Sequence, residues 1–176
     1  TYKVLSLKWR PQCFEDVVGQ NHVTQTLINA INLDKIGQAY LFTGPRGVGK
    51  TTTARVLAMA INSSDSPSIN FDPDSNESRE IAAGRSIDVL EIDGASNRGI
   101  EEIRNLREQI KFPPMNSLFK VIIIDEVHML TNQAFNALLR TLEEPPIHGK
   151  FIFATTDIQK VPQTIISRCQ RFDFNN

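Results

Sequence analysis

The fold is decided by residues 39–51, which read AYLFTGPRGVGKT. Residues 39–43 form an apolar, strand-forming run, and residues 44–51 match the pattern G-x-x-x-x-G-K-[ST] of phosphate-binding loops. Residues 51–60 follow as a good helix. In such a loop, backbone N–H groups and the helix N-terminus bind phosphate oxygens. The alternative interpretation is a glycine-rich turn that merely links a strand to a helix.

The loop sequence predicts a role for each of its polar side chains. Lys50 is expected to place its ammonium between the β- and γ-phosphates of a nucleotide, and the hydroxyl of Thr51 is expected to hold Mg²⁺. The residues predicted to contact the nucleotide here are Gly44, Pro45, Arg46, Gly47, Val48, Gly49, Lys50, Thr51 and Thr52.

On both sides of this loop, short apolar runs alternate with amphipathic segments, which is typical of a parallel sheet with helices on both faces. Strands are predicted at residues 39–43, 89–92, 120–125, 151–155 and 170–174. Helices are predicted at residues 22–33, 50–62, 77–83, 100–111, 132–142 and 162–167. Because residues 121–124 are apolar at every position, we expect that strand to be central. The predicted fold class is α/β, with a five-stranded, mostly parallel sheet flanked by helices.

Composition sets further limits on function. The 176 residues predict one domain, and the net charge of −1 gives no bulk attraction to nucleic acid or anionic membranes. Two cysteines cannot build a disulfide framework or a four-thiolate metal site, so a reducing, cytoplasmic location is predicted. The sequence has no apolar run long enough for a membrane span.

Two further strand ends carry polar side chains that suit a nucleotide site. The strand at residues 120–125 ends in Asp125, predicted to bind Mg²⁺, followed by Glu126, predicted to polarise a water for attack on the γ-phosphate. The next strand ends in Thr155 and Thr156; Thr156 is the predicted γ-phosphate sensor, with Thr155 as its substitute. The alternatives are an exposed acidic turn and threonines that only favour a strand.

Several longer motifs resemble the clamp-loader ATPases of the AAA+ superfamily. They are the phosphate loop, residues 125–128, residues 135–146 and the Ser-Arg-Cys of residues 167–169. More narrowly, residues 8–11, 14–20 and 154–157 resemble the gamma/tau family of bacterial DNA polymerase III. The resemblance implies a P-loop AAA+ (RecA-like) core that uses ATP and Mg²⁺. It also implies an ATPase that, with sister subunits, opens a sliding clamp and closes it around primed DNA.

The same resemblance implies roles for residues that spacing alone would not single out. Arg168 would enter the ATP site of a neighbouring subunit as an arginine finger. An adenine pocket would be lined by Arg10, Pro11, Val17 and Val18. DNA contacts would come from two helix starts, at Arg98 and Gly99 and at Thr131 and Asn132.

The chain departs from the family in two respects. The four cysteines that hold zinc in typical members are replaced by Ser63, Asp72, Ser75 and Ser78, so no zinc site is expected and residues 63–78 are predicted to be a loop or insertion. The sequence also stops where family members continue into lid and collar domains. We therefore expect residues 1–176 to be one nucleotide-binding domain that is monomeric and slow as an isolated ATPase.

Two other functions are alternatives, although residues 142–146 and 167–169 argue against the second of them. One is a loader subunit that binds nucleotide as a scaffold but hydrolyses nothing, and the other is a different AAA+ DNA motor, such as a branch-migration helicase. Intact Lys50, Thr51, Asp125 and Glu126 favour hydrolysis over the scaffold.

Overall fold

A five-stranded sheet is the centre of the structure, a computed structural model that describes residues 21–33, 35–63, 67–68 and 71–175. All strand pairs are parallel, and the strand order is β2-β3-β4-β1-β5. The strands are β1 (Ala39–Thr43), β2 (Val89–Asp93), β3 (Lys120–Asp125), β4 (Gly149–Thr155) and β5 (Gln170–Asp173). Because every strand runs in the same direction, their carboxyl ends lie along one edge of the sheet.

The described residues form six α-helices around the sheet, and the bounds of these helices lie within two residues of those predicted from sequence. They are α1 (Asn21–Asn32), α2 (Lys50–Ile61), α3 (Asn76–Ala82), α4 (Ile100–Lys111), α5 (Asn132–Glu143) and α6 (Gln163–Ile166). Short 3-10 helices cover Val127–Met129 and Ile158–Lys160. Among the described residues, no helix has the length and apolarity needed to span a bilayer.

The core has two layers, one on each face of the sheet. Successive residues of a strand point to opposite faces, so Tyr40 and Phe42 of β1 pack with α1, α2 and α3, whereas Leu41 packs with α4, α5 and α6. Both layers consist of fully or nearly fully buried apolar side chains. The α/β prediction is therefore confirmed, with a sheet that is parallel throughout.

The expectation that residues 121–124 form the central strand is wrong in one respect. β3 is interior, but the middle position belongs to β4, which pairs with β3 on one side and β1 on the other. All residues of β1 and β4 are buried, as are five of the six in β3. Continuous apolar runs therefore identify the interior strands without ordering them.

The segment at residues 63–78 is more structured at its end than a loop. Helix α3 begins at Asn76, and the hydroxyl of Ser75 caps it by accepting a hydrogen bond from the N–H of Ser78 at 3.1 Å. The side chain of Asp72 accepts a bond from the N–H of Asp74, and Phe71 is buried in the core. The prediction of a loop is thus wrong for residues 76–78.

Candidate active site

An open cleft of about 300 Å³ lies at the carboxyl edge of the sheet, between the loop after β1 and the end of β3. Its lining consists of Arg46, Gly47, Gly49, Lys50, Thr51, Thr52, Asp125 and Glu126. The structure therefore brings together residues that lie 74 positions apart in sequence, as the strand order requires.

The loop that follows β1 curls into the start of α2. Gly49, the residue before the helix, has φ 92° and ψ 17°, and Gly47 has φ 77°. Residues with a Cβ atom rarely adopt this left-handed backbone conformation, so glycine is favoured at both positions. The result is a tight turn at the N-terminus of α2, where unpaired N–H groups and the helix dipole favour an anion.

Lys50 extends back into this turn. Its Nζ donates to the carbonyl oxygens of Gly44 and Pro45, both at 2.6 Å, and the residue is only 6% exposed. Burial lowers the pKa of Lys50 below its ordinary value, and the nearby charges of Glu126 and Asp125 offset this only in part. The ammonium is thus held within the loop, close to carboxylates that favour its charged form.

A hydrogen bond across the cleft joins α2 to β3. The hydroxyl of Thr51 donates to Oδ2 of Asp125 at 3.1 Å, and Oδ1 of Asp125 accepts from the N–H of Glu126 at 2.9 Å. A hydroxyl and a carboxylate are oxygen ligands of the kind that Mg²⁺ prefers. These two residues fit the Mg²⁺ site that the sequence predicts, and Asp125 accepts both bonds through its carboxylate.

Glu126 has the only non-glycine φ above zero in the described part of the chain, at φ 50° and ψ 47°. Three hydrogen bonds support this left-handed backbone: the bond from its N–H to Asp125, one from the N–H of Met129 to its carbonyl, and one from the N–H of Gly94 to the carbonyl of Asp125. Such a conformation costs about 1 kcal/mol or more and is retained where its surroundings enforce it.

Gly94, just after β2, packs directly beneath this turn. A Cβ atom at that position would lie 2.5 Å from the carbonyl oxygen of Glu126 and 3.0 Å from that of Asp125. Both contacts are to backbone atoms, which cannot rotate away as the end of a side chain can. Gly94 therefore sets how closely the end of β2 approaches the end of β3.

The two threonines at the end of β4 have different neighbours. The hydroxyl of Thr156 donates to Oε2 of Glu126 at 3.0 Å. Thr155 is fully buried, and its Oγ1 accepts from the N–H of Asp157 at 3.0 Å and lies 2.8 Å from Nδ1 of His128. Of the pair, only Thr156 contacts Glu126.

Sequence reasoning missed two pairings near the cleft. Nδ1 of His128 lies 3.3 Å from Oε2 of Glu126, in addition to its contact with Oγ1 of Thr155. Arg55 of α2 donates two hydrogen bonds to Glu91 of β2, at 2.9 and 2.8 Å, and these bonds raise the pKa of Arg55. The available signals were a charged residue inside the apolar strand β2 and a histidine two residues after the acidic pair.

Other predicted residues lie away from the cleft lining. Arg168 follows α6, is 44% exposed and approaches Glu143 at 3.8 Å. The two predicted DNA-contacting helix starts are adjacent, since the N–H of Thr131 donates to the carbonyl of Arg98 at 2.9 Å. The predicted adenine-pocket residues lie outside the described part of the chain: Arg10, Pro11, Val17 and Val18. In the described part, no three His, Cys, Asp or Glu residues form a cluster that could hold a metal ion.

Comparisons with protein families and curated relatives agree on one group. The family model described as DNA polymerase III, delta subunit, matches residues 19–176. Proteins named DNA polymerase III subunit tau, from Bacillus subtilis (strain 168) and Escherichia coli (strain K12), are 55% and 51% identical over 99% and 98% of this chain. The chain spans 31% and 27% of the lengths of these two relatives.

Solved structures give the same fold. A DNA polymerase III gamma subunit-related protein from Thermotoga maritima is 27% identical, with a TM-score of 0.59, over 86% of this chain and 45% of its own. The RuvB Holliday junction branch migration motor from the same organism has a TM-score of 0.64 over 96% of this chain and 48% of its own. At 19% identity, the likeness to RuvB shows the fold alone.

Proposed function

This chain belongs to the DNA polymerase III, delta subunit family and is of the gamma/tau type, and on that premise we propose that it is the ATP-hydrolysing core of a bacterial sliding-clamp loader. The observation that carries the proposal is the hydrogen bond from Thr51 to Asp125, which joins the phosphate loop to the strand end that presents Glu126. One cleft thus contains both a phosphate-binding turn and a carboxylate suited to activating water.

Binding would be the work of the loop. The N–H groups at the start of α2 would donate to phosphate oxygens, and the Lys50 ammonium, now on two carbonyls, would turn to the β- and γ-phosphates. Thr51 and Asp125 would hold Mg²⁺, which neutralises phosphate charge when bound. Arg46 and Thr52 also line the cleft and would contact the nucleotide from its rim.

Hydrolysis would depend on the ends of β3 and β4. Glu126 would accept a hydrogen bond from a water and orient it for in-line attack on the γ-phosphate. Thr156 would sense that phosphate, and its bond to Glu126 supports this role because it links the two groups. Thr155 is a weaker candidate, since its hydroxyl is fully buried and faces His128.

Arg168 would act on a neighbouring subunit rather than on this cleft. Its guanidinium is half-exposed, and its 3.8 Å approach to Glu143 is too long for a strong ion pair, so little would be lost when it leaves. A guanidinium supplied in trans can raise phosphoryl-transfer rates by about 10³ to 10⁵. The proposed partners are therefore sister subunits, a sliding clamp and primed DNA, in the bacterial cytoplasm.

The proposal is tested with a chimera in which this chain replaces the matching segment of the B. subtilis tau subunit, assembled with its partner subunits. We expect clamp and primed DNA to stimulate ATP turnover by the chimera. Arg168→Ala should reduce this turnover at least about 100-fold, whereas Arg171→Ala, at another half-exposed arginine paired with an aspartate, should leave it unchanged. A chimera that binds ATP without turnover would instead indicate the non-hydrolysing scaffold.

A further inference from the structure

His128 lies where the ends of β3 and β4 meet, in the 3-10 helix Val127–Met129. Its side chain is 8% exposed, and its Nδ1 faces two oxygen atoms: Oγ1 of Thr155 at 2.8 Å and Oε2 of Glu126 at 3.3 Å. The ring thus connects the residue proposed to activate water with the strand that carries the proposed phosphate sensor.

The position of the ring is fixed on both sides. The left-handed backbone of Glu126 turns the chain so that residue 128 returns over residue 126, and the N–H of Met129 closes this turn onto the carbonyl of Glu126. Val127 is fully buried and anchors the same segment in the core. On the other side, Oγ1 of Thr155 is held by the N–H of Asp157.

The neighbours of the ring favour one position for the imidazole proton. An ionised carboxylate only accepts hydrogen bonds, and a hydroxyl oxygen can accept two. A proton on Nδ1 therefore suits both Glu126 and Thr155, since Thr155 Oγ1 then accepts from His128 and from Asp157. A proton on Nε2 alone would set the lone pair of Nδ1 against the Glu126 carboxylate.

The two oxygens of the Glu126 carboxylate then have different surroundings. Oε2 receives the Thr156 hydroxyl at 3.0 Å and faces His128 at 3.3 Å. Within the described part of the chain, no hydrogen bond reaches Oε1. Glu126 also lines the cleft, so Oε1 is the oxygen that remains available to a water there.

We propose that His128 is a positioning residue for Glu126, an inference that rests on the proposed ATP hydrolysis. The imidazole N–H donates to Thr155 and also lies close enough to Oε2 to attract it. Together with the Thr156 hydroxyl, this contact keeps the carboxylate in the orientation in which Oε1 accepts the hydrogen bond of the attacking water. His128 does not touch the nucleotide in this account, and its effect therefore belongs to kcat rather than to KM.

The test uses the tau chimera with its partner subunits, clamp and primed DNA, and compares three substitutions. The amide of asparagine in His128→Asn can occupy the place of Nδ1, whereas the amide of His128→Gln reaches the place of Nε2. His128→Leu removes both. We expect His128→Gln and His128→Leu to lower kcat at least tenfold with KM for ATP changed less than twofold, and His128→Asn to keep most of kcat.

The control for folding is the thermal unfolding midpoint of each variant. Asparagine and glutamine are both polar amides, so a comparison of these two remains valid if His128→Leu does not fold. A normal kcat in His128→Gln, or a loss of kcat shared equally by His128→Asn and His128→Gln, would overturn the proposal. An unsubstituted chimera that fails to hydrolyse ATP would instead reject the proposed function itself.

Discussion

The phosphate loop and the facing ends of β3 and β4 form the two halves of one cleft, but they are built differently. In the loop, Lys50 bonds to carbonyls only six and five residues away. At the strand ends, Glu126 bonds to Thr156, 30 residues away, and is supported by Gly94 from a third strand. The first half is thus encoded locally, whereas the second exists only when the strands of the sheet are correctly ordered.

This difference suggests that the halves can be damaged separately. A change in the loop should impair nucleotide binding, and with it every later step. A change of Glu126 or Thr156 at the strand ends should impair turnover while binding survives, because Lys50 makes its hydrogen bonds to carbonyls within the loop.

The largest expected effect is on binding. Lys50→Ala removes the ammonium that would reach two phosphates, and charged hydrogen bonds contribute about 1.5–3 kcal/mol each, so the affinity for ATP should fall at least about 100-fold. Isothermal titration calorimetry on the chain measures this, with Lys160→Ala, an exposed lysine paired with Asp157, as control. An affinity within threefold of the unsubstituted chain would contradict the assignment.

The next prediction concerns a substitution at the strand ends that changes none of the side chains proposed to act on the nucleotide. Gly94→Ala forces a Cβ against two backbone carbonyls and should lower the free energy of unfolding by about 2 kcal/mol. Gly37→Ala is the matched control, because its Cβ would meet nothing nearer than 3.5 Å. Denaturant unfolding compares the two. Equal stability of both variants would show that the β2 to β3 approach is not constrained as described.

A smaller effect should distinguish the roles of the two threonines at the end of β4. Thr156→Val removes one hydrogen bond to Glu126 and should lower turnover by the chimera about tenfold while ATP affinity is kept. Thr155→Val leaves the Asp157 N–H without its acceptor and should instead cost about 1–3 kcal/mol of stability. Turnover and unfolding measured on both variants show which threonine senses the γ-phosphate. A loss of turnover in Thr155→Val, with a loss of stability in Thr156→Val, would assign that role to Thr155.

The sequence was sufficient to predict the parts of the molecule that depend on local pattern. Strand and helix bounds followed from apolar periodicity. The start of α5 is likewise set locally, since the hydroxyl of Thr131 accepts from the N–H of Ala134. The loop from Gly44 to Thr51 followed from its motif and from the strand and helix predicted on either side of it. These features depend on interactions between residues close together in the chain, so the local sequence is enough to predict them.

Contacts between strands could not be predicted in the same way. The sequence could not place β4 rather than β3 in the middle of the sheet, because three strands are buried on both faces and burial does not order them. The roles of Gly94 and His128 arise from which atoms of β2, β3 and β4 meet at the carboxyl edge. From the sequence, Ser75 was considered only as a residue expected to replace a zinc ligand, and its role as the cap of α3 was not predicted.

The separation of binding from hydrolysis is tested most directly by Glu126→Gln. Affinity for ATP and clamp-stimulated turnover should be measured on the same preparation of the chimera, with Lys50→Ala alongside. We expect an affinity within about twofold of the unsubstituted chimera and turnover reduced at least about 100-fold, since a neutral amide cannot act as the base. A Glu126→Gln variant that binds ATP as weakly as Lys50→Ala, or that retains its turnover, would contradict that separation.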